Sequence, residues 1–342
     1  MLKSKAKANA VDILFFIVFV TVFAVFLRYI AKVKEAVIEA GKACLYGIIP
    51  SLFAVCVLCS WAAEYGVFEK VFYKSKINPA ILCAFILGNI GGYPIGAKIL
   101  KDYVVKGRIT REQAEKAICF AFSPGPAFCL GVVSPLVFHN TALGWIIYLS
   151  VFFSNAVIFL IFRKSFAESD GAVRKTTESF SDCLTNSVNS ATYSMIAICS
   201  AILFFSAVSA VLRELLPCLS DKKIVYALME ISQVTGLKYS GLISFIIISA
   251  VISFGGLCVL LQVKSLIGKS FEIGLFLKTR VLQIGLASMF CGVTYSIAYR
   301  YIPAATNEYT YVFTQAHSIL PFICTAGMTA ISITYRKKQR KM

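Results

Sequence analysis

The sequence predicts an all-α polytopic membrane protein of about 8–9 spans, and three observations carry that prediction. Apolar residues make up 58 % of the 342 positions and charged residues 15 %, against about 45–50 % and about 25 % in soluble domains. Mean hydropathy is +0.77, too high for a chain whose surface faces water. Apolar runs of about 20 residues recur along the chain, the length at which a helix crosses a hydrocarbon core about 30 Å thick. A cytosolic enzyme, a nucleic-acid-binding module and a disordered scaffold are excluded on these grounds.

The net charge is +17, from 34 Lys and Arg against 17 Asp and Glu. The basic residues sit in short segments between apolar runs. That placement reads as positive-inside topology and attraction to anionic lipid, so the expected partner is the bilayer and no nucleic acid is expected. Most of the 12 cysteines lie inside apolar runs, and Cys218 does not. Cys56 and Cys59 form a C-x-x-C inside one such run, with no second pair and no histidine nearby. His139 and His317 are the only histidines. No metal site and no cofactor are expected.

Taken in order, the candidate spans are 11–31, 43–63, 79–97, 117–137, 142–162, 190–212, 240–262, 281–301 and 316–335. The first follows a basic start (Lys3, Lys5, Lys7) but is too long for a signal peptide and lacks a small-residue cleavage site, so it reads as a retained span. Residues 101–116 are a charged connector in which Thr110, followed by Glu112 and Gln113, predicts a capped helix start. Residues 164–182 are the most polar stretch and divide the chain into halves. The basic tail 336–341 reads as a cytoplasmic end. If 79–97 is re-entrant, both termini are cytoplasmic, which the three N-terminal lysines favour.

Two stretches of the first half break the helical pattern. Residues 86–98 hold Gly88, Gly91, Gly92, Gly96, Pro94 and Asn89, and end on Lys98. Pro94 beside a Gly pair disrupts a regular helix, and the freed backbone groups need protein or water as partners because lipid offers none. Such discontinuous helices form substrate sites in secondary transporters. Gly88, Gly92 and Gly96 are also four apart, a small-residue face for close helix packing, and both readings stand. In 119–135, Ser123-Pro124-Gly125-Pro126 unwinds or reverses the chain. The half-helix after it presents free N–H groups that suit an anion, unless the stretch only links two short helices.

The second half echoes the first. Gly255-Gly256 aligns with Gly91-Gly92, which sets Gln262 opposite Lys98. Paired Gly-interrupted segments point to a transporter binding site. Polar groups at membrane depth are few. Lys98 and Arg280 either snorkel to the interface or face a ligand. Asn89, Asn155, Gln262 and Gln283 read as interhelical hydrogen-bond formers or ligand contacts. Glu230 and Gln233 lie on 223–235, where a solvated face is favoured over a coupling site. Gly268-Lys269-Ser270 ends like a P-loop, but Val263 stands where its first Gly belongs. With no H-E-x-x-H and no G-x-S-x-G, no enzyme is expected.

Gly91-Gly92-Tyr93-Pro94-Ile95-Gly96-Ala97-Lys98, the charged helix with Gln113-Ala114-Glu115, Phe122-Ser123-Pro124-Gly125-Pro126-Ala127-Phe128 and Ser253-Phe254-Gly255-Gly256 with Gln262-Val263 occur in this order. Together they resemble the sporulation integral membrane proteins of the YlbJ type over roughly residues 40–300. The resemblance implies two nucleoside-recognition (Gate-type) repeats with Gly/Pro-broken or re-entrant helices. It divides the chain into an N-terminal span and connector (1–42), a first repeat (43–163), a polar connector (164–182), a second repeat (183–301) and a C-terminal span with basic tail (302–342). It further implies transport of a small organic anion, dipicolinate, in a multi-pass bacterial membrane around the forespore. The expected substrate site is Asn89, Gly91, Gly92, Tyr93, Pro94, Gly96, Lys98, Ser123, Gly125, Pro126, Gly255, Gly256, Gln262 and Arg280, with Lys98 and Arg280 as counter-charges. A nucleoside or nucleobase transporter and a non-transporting assembly factor of the spore envelope stay open, as does a homo-oligomer.

Overall fold

The computed structural model describes residues 2–166, 179–220 and 222–298. The candidate span 316–335, the basic tail, His317 and most of the polar connector lie outside the described residues. Among the described residues there is no strand.

The N-terminal helix α1 (Leu2–Arg28) leads into α2 (Ile30–Ala43). A π-helical turn at Cys44–Ile48 joins α2 to α3 (Ile49–Glu64), so that Ile30–Glu64 runs on as one 35-residue helix. The expected span 43–63 is therefore the second half of a longer rod whose first half is amphipathic. After the short α4 (Val67–Val71), α5 (Pro79–Gly91) begins where Asn78 accepts a hydrogen bond from Ala80 N. Gly92, at φ +92°, ends it and starts α6 (Tyr93–Val105). That left-handed backbone is available to Gly without strain, and the expected span 79–97 is split at the residue pair the sequence singles out.

Helix α7 (Arg111–Ala117) opens on the expected capping box, with Thr110 Oγ1 accepting from Gln113 N at 3.1 Å and Gln113 Oε1 accepting from Thr110 N at 3.1 Å. Residues 118–124 then leave the helix. The expected span 117–137 thus becomes a buried non-helical stretch followed by α8 (Gly125–Phe128) and a π-helical segment, Cys129–Phe138. Pro124 and Pro126 cannot donate the backbone bonds that a straight span would need. The spanning helix α9 (Thr141–Phe162), capped by Asn140, ends the half.

The second half opens with α10 (Phe180–Leu215), started by Ser179, whose hydroxyl accepts from Asp182 N at 3.2 Å. The short α11 (Pro217–Ser220) and α12 (Lys223–Met229) follow, then a 3-10 segment at Ile231–Gly236. Helices α13 (Leu242–Phe254) and α14 (Gly256–Ile267) are separated by Gly255, at φ +86°, and α15 (Gly274–Ala298) closes the described chain. Among the described residues, five helical runs are long and apolar enough to cross a bilayer: Ile30–Glu64, Thr141–Phe166, Phe180–Leu215, Leu242–Ile267 and Gly274–Ala298. The described residues are all-α and of the membrane-embedded kind.

The centre of the bundle is the first half's broken pair. Ile81, Cys83, Ile95, Leu100, Ile118, Phe120 and Phe122 are fully buried, with α6 packed against α14 and α9 against α15. Apolar side chains also cover the outside: Phe15, Phe16 and Phe19 on α1, Ile243 on α13 and Val281 on α15 are exposed. In water such a surface would drive aggregation, whereas a bilayer solvates it.

Candidate functional site

The two helix breaks meet. Tyr93, the first residue of α6, donates its hydroxyl to Ile252 O in the last turn of α13 at 2.5 Å. Its ring lies 4.8 Å from that of Phe122. A Cβ on Gly255 would stand 2.7 Å from the Phe122 ring and 3.2 Å from Cε1 of Tyr93. The absence of side chains at the second break therefore admits the aromatic pair of the first half. Gly256, at φ +80°, lets α14 start beside the carbonyls of Leu228 and Met229 at the end of α12.

Next to this junction is a narrow cavity of about 50 Å³. The first break supplies Gly91, Gly92, Tyr93 and Pro94, and the turn before α8 supplies Pro124. Helix α14 adds Cys258, Val259 and Gln262. Ile48, Leu52 and Cys56 come from the long N-terminal rod, Ile198 and Ile202 from α10, and Phe128 from α8. Glu230, Ile231 and Ser232 close the wall. The N-terminus of α6 opens here, and the positive end of a helix dipole favours an anionic group.

Of the expected site residues, Gly91, Gly92, Tyr93, Pro94 and Gln262 line this cavity. Gly125, at φ +72°, packs against the break: a Cβ there would stand 2.9 Å from Gly92 N and from Ile90 O. The buried Ser123 hydroxyl accepts from Gly125 N at 3.4 Å, and Pro126 opens α8. Gly255 and Gly256 form the second break. Gln262 Nε2 reaches Cys258 Sγ at 3.3 Å.

The remaining residues are placed elsewhere. Gly96 and Gly88 receive the Ala121 carbonyl: a Cβ on Gly88 would lie 2.6 Å from Ala121 O, and one on Gly96 would overlap it. Asn89 donates to Phe85 O at 2.7 Å and Phe120 O at 3.0 Å, and accepts from Asn155 Nδ2 at 2.8 Å, which also donates to Phe122 O at 2.9 Å. Arg280 is buried, donates to Cys119 O and to Gln283 Oε1, and lies between the Phe122 and Phe276 rings, 4.7 and 4.6 Å from their centres. Asn89, Asn155 and Arg280 thus supply side-chain donors to the carbonyls of the non-helical stretch 118–124, as buried backbone requires. Lys98 donates to Ser60 Oγ at 3.1 Å in a separate polar pocket with Glu64, Asp102 and Lys106. Neither cation lines the cavity.

Glu230 is the residue that sequence reasoning placed differently. A solvated face is expected, yet its exposure is 0 %. One carboxylate oxygen accepts from Ser232 N at 2.8 Å and the other from Ser232 Oγ. Its signal in the sequence is slight: it is the one acidic residue of 223–235. The apolar walls are legible as helical spacings, 48-52-56 and 198-202, but such spacings serve any buried face. No family model, curated protein or solved structure matches the chain.

Proposed function

We propose that the protein is a membrane transporter that carries a small aromatic carboxylate, dipicolinate in the reading the sequence resemblance suggests, through the cavity between its two helix breaks. The observation that carries this is that the first Gly-broken pair and helix α14 of the second line one cavity, beside the Tyr93–Ile252 hydrogen bond. Discontinuous helices at a repeat interface are a means by which transporters expose backbone groups to substrate without exposing them to lipid. The cavity walls are mostly apolar, which suits an aromatic ring. The start of α6 suits a carboxylate. In this reading Lys98 and Arg280 act away from the substrate: Arg280 positions the central stretch and Lys98 holds the polar pocket.

A nucleoside is the second reading, favoured by Gln262 and Glu230 on the same wall, since an amide and a carboxyl can pair with a base edge or a ribose hydroxyl. Thermal unfolding of the detergent-purified chain with dipicolinate, other dicarboxylates, uridine and adenosine separates the two. A ligand at a hundredfold excess over Kd stabilises the folded state by about 2.7 kcal/mol. We expect a shift with dipicolinate alone. A shift with a nucleoside alone moves the assignment to the second reading. Stability flat across the panel in a correctly inserted protein removes both and favours an assembly role.

A further inference from the structure

We infer that Glu230 is a proton-binding carboxyl that loads together with the anion, making the carrier a proton–anion symporter. The inference rests on the transport reading above and adds the coupling ion to it. Glu230 sits on the cavity wall with no exposure, and its carboxylate accepts from the Ser232 amide and hydroxyl and from the Gln233 amide, all of them neutral donors. No salt bridge involving it occurs among the described residues. A carboxylate buried without a cation is costly, and the group becomes neutral by taking a proton or gains a bound cation.

The surroundings favour the proton. The titratable groups within electrostatic reach are thiols, Cys44 on the long N-terminal rod and Cys258 on α14. The residues of α13 and of 129–138 carry no charge. Lys264 of α14 is exposed. Arg213 of α10 donates to Gln233 Oε1 at 3.2 Å and lies 4.4 Å over the Tyr226 ring. A metal ion would need several oxygen ligands, and no group of three or more His, Cys, Asp or Glu side chains suited to a metal occurs among the described residues. A proton needs one carboxyl.

The same cavity supplies the coupling. An anion seated at the start of α6 shares a low-dielectric space with Glu230, where two like charges repel strongly. Protonating Glu230 removes that repulsion, so each ligand raises the affinity for the other. Ser232 lies on the walls of both this cavity and a neighbouring polar pocket bordered by Lys32, Glu35, Arg213 and Glu214.

Two measurements on the full chain in proteoliposomes test this. Dicyclohexylcarbodiimide adds to protonated carboxyls in apolar surroundings, and mass spectrometry locates the adduct. We expect an adduct on Glu230 whose formation slows as pH rises, and which in Ser232→Ala persists to higher pH because a hydrogen bond to the charged form is lost. No adduct on Glu230 at any pH, or protection by sodium instead of by raised pH, overturns the inference. With the membrane potential clamped, one pH unit should drive about tenfold accumulation of dipicolinate in a one-proton symporter. Glu230→Gln should only equilibrate it. Gradient-driven accumulation by Glu230→Gln equal to that of the wild type also overturns the inference. If the wild type carries no dipicolinate in either direction, the substrate assignment falls, and the labelling result still decides the protonation of Glu230.

Discussion

Gly88 on α5 and Gly96 on α6 flank the break at Gly92, and both face the carbonyl of Ala121. Their lack of a side chain lets the non-helical stretch 118–124 press against the broken pair α5–α6, so these glycines are positions of close approach. Gly96→Ala should lower stability by about 1–3 kcal/mol, because a methyl inserted into a filled core forces backbone to move. Gly285 on α15 has open space around its Cα. There the same change should leave stability unchanged or raise it by up to about 1 kcal/mol, the helix-propensity gain. Thermal unfolding of the two purified variants checks the contrast. Equal losses would show that Ala121 can move aside at little cost.

At the level of elements, residues 118–124 pose the main folding problem. They are buried and non-helical, so their carbonyls rely on side chains: Asn89 from α5, Asn155 from α9 and Arg280 from α15. The two asparagines also bond each other. Asn89→Ala and Asn155→Ala should each cost about 1–3 kcal/mol, and the double variant should cost less than the sum, with a coupling of about 0.5–3 kcal/mol. Strict additivity in chemical denaturation would mean that the pair does not act as one unit. The breaks themselves were legible, because a Gly pair beside Pro94 and a second Gly pair at 255–256 have few uses inside an apolar run. The capping box at Thr110 was legible for the same reason: its chemistry is local. The partners of 118–124 were not. An Asn or Arg in an apolar run announces a hydrogen bond without saying to what, since the partner is set by packing across α5, α9 and α15. Lys98 and Arg280, alike as charges at the ends of apolar stretches, are sent to different places for that reason. Glu230 reads as solvated because it is the one acidic residue of a short segment outside the apolar runs, and its burial is set by packing between elements that the sequence does not show.

The whole molecule is arranged for lipid as its solvent. Arg280 and Val281 are adjacent on α15, yet Arg280 is 2 % exposed and Val281 76 %. One faces the protein interior and its neighbour faces out. Val281→Asp should therefore impair membrane integration, with a cost of up to about 3 kcal/mol for a charge facing the hydrocarbon, while Val281→Leu should not. The fraction of newly made chain resistant to alkaline extraction reads the difference, and equal integration would place Val281 in water or at a protein contact.

The reliance of Cys119 on Arg280 has a further consequence, in time. The two residues are 161 positions apart. At about 5–20 residues per second of synthesis, Cys119 emerges roughly ten to thirty seconds before the guanidinium that will hold it. During that interval the first half waits in the insertion machinery with its centre unfinished. The last described helix acts as the keystone of a structure begun at the other end of the message, and a ribosome that stalls before α15 leaves a product for quality control to clear.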